Sequence, residues 1–203
     1  MHDTSLSLLL RIRQSPDDES WRRLATLYAP LLGVWLRKYD VQASDVDDLV
    51  QEVLIALARD LKTFEHTGRP GAFRAWLKMI LVNRLRDFWR ARARRPAARG
   101  DSGIERRLEQ LEDPAGEMSR VWNRQHDQHV VQQLLTLVKP DYAPSTWEAF
   151  YRVAVEDTRA NLVAADLGIS LNAVFIAKSR VLSRLRLEAQ GLVDSASSFL
   201  AES

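Results

Sequence analysis

The chain has 203 residues, of which 46% are hydrophobic and 28% are charged, and it contains no cysteine. This composition is that of an ordinary folded protein of one domain or two small ones, and the lack of cysteine excludes disulfides, thiol nucleophiles and cysteine-based zinc sites. The net charge is only +2 although the isoelectric point is about 9.1, so local charge patches matter more than the total. The apolar run near the N-terminus is too short for a signal peptide or a membrane span, and we expect a cytoplasmic protein.

Almost every segment has helical periodicity, which predicts an all-α fold. Ser15 and Pro16, followed by acidic residues, are typical of a helix start, and this helix should run toward Lys38 with a kink or a break at Pro30. Ser44 is the expected cap of the next helix, because it stands just before apolar residues that recur at helical spacing.

That second helix has a strongly acidic beginning. Its segment DVDDLVQEVLIAL contains four acidic residues between Asp45 and Glu52 and no basic residue. A surface that binds nucleic acid would not present such charge to phosphates. The acidic residues therefore form either a solvated helix face or a docking surface for a basic protein partner.

A long basic helix is predicted from about residue 72 to residue 95. On a helical wheel Asn83, Arg86 and Arg90 lie opposite an apolar stripe, with Trp89 on a flank. Its last part, NRLRDFWRARARR, has six arginines against one aspartate, a net charge of +5. These arginines either solubilise the helix end and complement its dipole, or bind phosphates while aromatic rings stack on unpaired bases. The predicted core stripe consists of Phe73, Leu77, Ile80, Leu81, Leu85 and Phe88.

The composition changes over residues 96–120, where Pro, Gly and charged residues alternate around the short stretch IERRLEQLE. This pattern predicts a linker with a transient helix, and so a boundary between two domains. We expect a first domain over residues 1–95, a second over residues 121–190, and a C-terminal tail over residues 191–203.

Residues 158–187 have the pattern of a helix-turn-helix, although plain αα-hairpins share it. Gly168 stands at the turn, Ser170 caps the second helix, and the small side chain of Ala164 lets the two helices approach closely. The outer face of the second helix is less basic than that of many recognition helices. It consists of Asn172, Ala173, Ile176, Ser179, Arg180 and Ser183.

Nothing in the sequence predicts an enzyme or a bound cofactor. There is no glycine-rich phosphate loop and no nucleophile motif. His126 and His129 stand three residues apart, as the ligands of some metal sites do, but no further ligands complete a site. A polar helix face is the usual interpretation of such a pair.

Three segments, taken in order, resemble the bacterial RNA polymerase sigma factors of the extracytoplasmic-function (ECF) group. DVDDLVQEVLIAL and FRAWLKMILVNRLRDFWRARARR resemble region 2 of that family, and VAADLGISLNAVFIAKSRVLSRLR resembles region 4. The resemblance covers roughly residues 20–95 and 125–190. It implies two small helical domains, a region 2 bundle and a region 4 helix-turn-helix, joined by a flexible linker.

The resemblance also implies a function and its partners. The chain would bind core RNA polymerase, through the clamp helices of the β′ subunit and through the β subunit, and would direct it to promoters and help to open the DNA. Asp48, Gln51 and Glu52 are the residues implied to dock on the clamp helices. An anti-sigma factor is a further candidate partner, whereas no cofactor, metal or membrane insertion is implied.

The family's DNA contacts carry over to two sets of residues. Asn83, Arg86, Trp89 and Arg90 would meet the minus-ten element, where the loop from Phe64 to Gly71 would help to capture an unpaired base of the non-template strand. The minus-thirty-five element would be read in duplex form by the helix-turn-helix. The residues implied there are Ser170, Asn172, Ala173, Ile176, Ser179 and Arg180.

Four positions of the second helix depart from the family pattern. Ala173 stands where many relatives have Thr, Lys178 replaces a Leu-like residue, and Phe175 and Ile176 occupy commonly polar positions. These departures leave the promoter sequence open and would also fit a protein contact on that face. The alternatives to a sigma factor are a stand-alone helix-turn-helix regulator, which acts without polymerase docking, and a helical adaptor between proteins.

Overall fold

The computed structural model describes residues 8–14, 18–61, 64, 71–93 and 102–193. These residues form α-helices and one short 3-10 helix, with no β-strand among them, which confirms the all-α prediction. The chain divides into two compact units, an N-terminal unit (residues 11–129) and a C-terminal unit (residues 130–203 with residues 1–10). The helices are α1 (Leu8–Gln14), α2 (Asp18–Lys38), α3 (Ala43–Asp60), α4 (Ala72–Ala93), α5 (Ser102–Glu112), α6 (Glu117–Val138), the 3-10 helix (Lys139–Asp141), α7 (Pro144–Ala154), α8 (Ala160–Leu167) and α9 (Leu171–Ala189).

The N-terminal unit is built around α4. Helix α2 packs on α3, and both α3 and α5 pack on α4. The first half of α6 adds Trp122, whose ring meets Trp35 of α2 edge-on with 5.0 Å between the centroids. Each fully buried large apolar side chain contributes about 1.5–3 kcal/mol. The fully buried side chains of this unit include Leu27, Tyr28, Leu32, Trp35, Leu36, Val53, Leu57, Phe73, Leu77, Leu81, Leu85, Leu108, Leu111 and Trp122.

The helix α2 is continuous through Pro30, so it does not break there, and the alternative expectation of a kink stays a prediction. Leu31 and Leu32, which follow the proline, are both buried. Burial of this kind along the helix outweighs the roughly 3 kcal/mol that a proline inside a helix costs. The predicted helix start at residues 15–16 lies outside the described residues.

The start of α3 also differs from the prediction, because Ser44 does not cap it. Gln42 is the N-cap residue, with an extended backbone at φ −64° and ψ 147°, and no side chain closes the cap. The carbonyl oxygen of Gln42 instead accepts hydrogen bonds from the amides of Asp45 at 2.9 Å and Val46 at 3.1 Å. Ser44 already lies inside the helix, one residue after its first residue.

Helix α4 is buried on two sides rather than on one. Phe73, Leu77, Ile80, Leu81 and Leu85 of the predicted stripe are buried as expected, and Phe88 is half-buried. In addition, Lys78 and Val82 are buried on the side that the helical wheel left to solvent. Lys78 donates a hydrogen bond to Ser119 Oγ at 2.5 Å, so the start of α6 covers this second side of α4.

The predicted linker contains the packed helix α5. Its apolar residues Ile104, Leu108 and Leu111 recur at helical spacing and are all buried in the N-terminal unit. Helix α5 therefore has one side packed against its neighbours, among them α4. The flexibility of residues 96–120 and the predicted domain boundaries stay predictions.

The C-terminal unit has the predicted helix-turn-helix, with α7, α8 and α9 packed on one another. Gly168 ends α8 in the left-handed conformation at φ 65°, and Ser170 Oγ accepts a hydrogen bond from the amide of Ala173 at 3.1 Å. The chain bends by 108° between α8 and α9, within the range of about 90–120° of such motifs. No single helix among the described residues is long and apolar enough to cross a membrane, and α8 and α9 meet that criterion only as a bent pair.

We predict that Leu108→Ala lowers the free energy of unfolding by about 2–5 kcal/mol, because it leaves a cavity beneath a packed helix. Urea unfolding followed by tryptophan fluorescence measures the change. Gln110→Ala, at an exposed position of the same helix, is the matched control and should stay within about 0.5 kcal/mol of the unsubstituted chain. Equal stability of the two variants would contradict the packing of α5.

Candidate nucleic-acid interface and acidic docking surface

The predicted docking residues Asp48, Gln51 and Glu52 are exposed on one side of α3. They are exposed because the opposite side of the helix supplies buried apolar residues to the core. Ile55 lies on the same side, one turn further, and is 67% exposed. We call these four residues the α3 stripe. Among the described residues neither carboxylate of the stripe forms an ion pair, so both are available to a partner.

The outward side of α4 is a narrow strip rather than a broad basic face. Asn83 and Arg90 are exposed there as predicted, together with Met79 and Asp87. The guanidinium of Arg90 lies 4.0 Å from the carboxylate of Asp87. An exposed pair of this kind contributes about 0–1 kcal/mol, so Arg90 can exchange it for another anion at little cost.

Arg86 does not lie on an exposed face, and that expectation is wrong. Its guanidinium donates to Glu112 of α5 at 2.6 and 2.8 Å and to Glu105 at 3.1 Å, and its side chain is only 19% exposed. These hydrogen bonds, first of all those to Glu112, raise the pKa of Arg86 above its usual value. The sequence alone does not place α5 against this side of α4. The one signal that α5 packs on a neighbour is the helical spacing of its apolar residues Ile104, Leu108 and Leu111.

Trp89 is half-buried on the flank of α4, as the helical wheel predicts. Its ring meets Phe88 edge-on with 5.1 Å between the centroids, and the guanidinium of Arg92 lies 5.8 Å from its centre. The indole N–H is buried and has no acceptor among the described residues. Trp89 therefore offers one partly covered ring beside the outward strip.

The loop that the resemblance assigns to base capture is described only at its two ends, Phe64 and Gly71. Phe64 stacks on Trp76 of α4, with 4.6 Å between the ring centroids and 27° between the planes. Phe73 meets the same two rings at 5.8 and 5.7 Å. The loop thus begins at an aromatic cluster on α4, and its other residues lie outside the described ones.

The predicted recognition residues lie at the cap and in the first half of α9. Asn172, Ile176, Ser179 and Arg180 are exposed, whereas Ala173 is half-buried. Ser170 is exposed as well, but its hydroxyl is engaged as the helix cap. The side chains that remain available to a ligand are the amide of Asn172, the apolar side chain of Ile176, the hydroxyl of Ser179 and the guanidinium of Arg180.

His126 lies in a buried hydrogen-bonded network rather than on the polar helix face that the sequence suggested. Its Nε2 is 3.2 Å from the hydroxyl of Tyr28, its Nδ1 is 2.8 Å from Asp127, and Asp127 accepts a hydrogen bond from Arg74 at 2.7 Å. His129 contacts the carbonyl oxygen of Leu27 at 2.7 Å. In the described part of the chain no three His, Asp or Glu side chains form a group that could hold a metal ion.

The central part of the N-terminal unit is similar to a known protein family. Residues 24–95, which include most of α2, all of α3 and all of α4, match the family model of sigma-70 region 2. The α3 stripe and the outward strip of α4 both lie within this match. The resemblance to sigma factors that the sequence suggested is therefore confirmed for region 2.

Three curated proteins are similar to parts of the chain. RNA polymerase sigma factor CnrH of Cupriavidus metallidurans is 33% identical over 78 residues, which cover 38% of this chain and 39% of that protein. RNA polymerase sigma factor NccH of Alcaligenes xylosoxydans xylosoxydans is 33% identical over 106 residues, covering 52% and 55%. The ECF RNA polymerase sigma-E factor of Haemophilus influenzae is 31% identical over 93 residues, covering 46% and 47%. The similarity thus spans about half the length of each relative or less.

The buried network makes a prediction about pH. Burial lowers the pKa of His126 below its usual 6.5, and the hydrogen bond and charge of Asp127 only partly oppose this. The groups that face the imidazole are Tyr28, Asp127, Arg74 and His129. The unfolded chain therefore takes up a proton on His126 more readily than the folded chain does. The stability that neutral, buried His126 contributes is present above about pH 6.5 and is lost as the pH falls below that value.

We expect the free energy of unfolding to drop between about pH 7.5 and about pH 5.5, and to drop less in His126→Gln. Glutamine keeps hydrogen-bonding capacity but does not titrate. Denaturant unfolding at several pH values gives the slope of the free energy of unfolding against pH for the unsubstituted chain and for the variant. Because slopes are compared, a loss of stability that is equal at every pH does not affect the result. Identical slopes would contradict a neutral, buried His126.

Proposed function

We propose that this protein is a sigma factor of the ECF group, which binds core RNA polymerase, directs it to promoters and helps to open the DNA. The observation that carries the proposal is the match of residues 24–95 to sigma-70 region 2, since the exposed α3 stripe and the outward strip of α4 lie inside it. A stand-alone helix-turn-helix regulator needs neither a region 2 nor an unpaired acidic stripe. In this proposal the protein performs no chemistry of its own, because the polymerase makes the RNA.

The α3 stripe is the proposed polymerase-docking surface. Asp48 and Glu52 supply negative charge that is complementary to a basic surface, which here is the clamp helices of the β′ subunit. Gln51 between them can donate and accept hydrogen bonds. Ile55 adds an exposed apolar side chain at the edge of the charged group, where its burial on binding would contribute affinity that charge alone does not.

The outward strip of α4 is the proposed contact with the minus-ten element. Asn83 can pair with a base edge, Arg90 can bind a phosphate, and the ring of Trp89 lies beside them. Binding of unpaired bases by stacking and pockets would stabilise the opened strands. Arg86 can join this surface only if phosphates replace Glu105 and Glu112, which hold its guanidinium in the free protein.

The helix-turn-helix of the C-terminal unit is the proposed reader of the minus-thirty-five element. Ser170 and Ala173 would position the start of α9 in the major groove, and Asn172, Ser179 and Arg180 would contact base edges or phosphates. We further propose that the protein acts in the cytoplasm, where its polymerase is. An anti-sigma factor that covers one of these surfaces remains a candidate partner.

Asp48→Arg should abolish co-elution with core RNA polymerase in size-exclusion chromatography, because it replaces one of the two negative charges of the α3 stripe by a positive charge. The side chain is exposed, so the fold should survive, and circular dichroism checks this. Glu148→Arg reverses the charge of an exposed acidic residue on α7 and is the matched control, with co-elution retained. Retained co-elution of Asp48→Arg would contradict docking through α3.

A second prediction concerns the ion pairs of Arg86. Replacing both Glu105 and Glu112 by Gln should strengthen binding of the full chain to a fluorescently labelled single-stranded oligonucleotide. One added phosphate contact should also steepen the slope of log affinity against log salt by about 0.7. Fluorescence anisotropy over a salt series measures both quantities.

Two controls separate release of Arg86 from a change in net charge. Replacing the exposed Glu109 and Glu117 by Gln removes the same charge away from Arg86 and should leave the slope unchanged. Adding Arg86→Ala to the first variant should cancel the gain. If the gain persists without Arg86, this residue does not contact the strand.

A further inference from the structure

The start of α9 presents large apolar side chains to solvent. Phe175 is 52% exposed and Ile176 is 45% exposed, although the neighbouring Val174 and Ala177 are buried in the core of the C-terminal unit. The core therefore does not need the two side chains, which stand on the outer surface of the helix-turn-helix. Two adjacent large apolar side chains left in water are a candidate surface for another molecule to cover.

Ile176 has polar neighbours suited to reading DNA. Asn172 precedes it by four residues and Arg180 follows it by four, so the three side chains form one stripe along α9. All three are exposed. In the major groove Asn pairs best with adenine and Arg with guanine, each through two hydrogen bonds. If the stripe lies in the major groove, an apolar side chain in its middle would meet the base pair between those two contacts.

The charge of α9 favours nucleic acid over a protein as the occupant of this surface. The helix carries Lys178, Arg180, Arg184 and Arg186 and one acidic residue, Glu188. Glu188 is buried and is 2.8 Å from the guanidinium of Arg184, which is itself only 14% exposed, so this pair adds little charge of either sign, and Arg180 and Arg186 are the exposed arginines. The exposed part of the helix is thus positive, as a surface that lies between phosphates must be.

Base edges in the major groove offer one large apolar group, the C5-methyl of thymine. We propose that Ile176 recognises a thymine methyl in duplex DNA, with Phe175 shielding the contact from water, and that this contact sets the sequence preference of the helix-turn-helix. The inference rests on the proposed function, because it assumes that α9 enters the groove. It deepens that function by naming the chemical group that is read at the position between Asn172 and Arg180.

The test begins with duplexes selected from a random pool by the full-length chain. Each thymine of the selected site is then replaced in turn by deoxyuridine, which differs only in lacking the methyl group. One position should lose about fourfold in affinity, the value expected for one buried methyl group. Ile176→Ala should bind the thymine and uracil duplexes equally, whereas Leu162→Ala, which truncates an exposed apolar residue of α8, should keep the wild-type ratio.

The outcomes separate this inference from the proposed function. Equal binding of thymine and uracil duplexes at every position by the unsubstituted chain would overturn the methyl contact, and so would an unchanged ratio in Ile176→Ala. If the chain selects no sequence from the pool, the methyl contact is overturned too. In that case co-elution with core polymerase would still support the proposal that the protein is a sigma factor. If Ile176→Ala loses co-elution with polymerase but keeps the base preference, the apolar surface binds protein and the inference is wrong.

Discussion

The ion pair between Arg74 of α4 and Asp127 of α6 joins these two helices within the N-terminal unit. Its two side chains are 15% and 10% exposed and their charged atoms are 2.7 Å apart. Removing one partner of such a pair costs about 3–5 kcal/mol, because the other charge is left buried. Asp127 also contacts His126, and Trp122 donates its indole N–H to the carbonyl oxygen of Arg74 at 3.2 Å. The first half of α6 is therefore held firmly on α4.

This arrangement limits the surface that region 2 can use. With α3 on one side and α5 and α6 on others, α4 keeps a narrow outward strip, and much of its positive charge is already neutralised. Arg86 is held by Glu105 and Glu112, and Arg92 lies 3.5 Å from Asp45. By contrast, the carboxylates of Asp48 and Glu52 in the α3 stripe form no ion pair among the described residues. In the free protein the proposed polymerase-docking surface is therefore open, whereas the proposed DNA-binding surface is partly occupied.

What the sequence could predict depends on how local each feature is. The core stripe of α4 follows from side-chain spacing, and the turn at Gly168 and the cap at Ser170 follow from the chemistry of a few neighbouring residues. The pairing of Arg86 could not be predicted, because its partners lie 19 and 26 residues away on a segment expected to be a linker. The burial of His126 likewise depends on Tyr28, which is 98 residues distant. The exposure of Ile55 could not be predicted either, because an isoleucine in this helix is expected in the core and only the structure shows it beside the exposed Asp48, Gln51 and Glu52.

The proposal that the protein directs core RNA polymerase to promoters is tested most directly by transcription in vitro. Core RNA polymerase would be incubated with fragments of the source genome, with and without the purified protein, and the 5′ ends of the transcripts would be mapped. We predict discrete start sites that appear only with the protein and share sequence elements upstream. Transcripts with the same scattered 5′ ends in both reactions, under conditions where the protein and polymerase co-elute, would contradict the account.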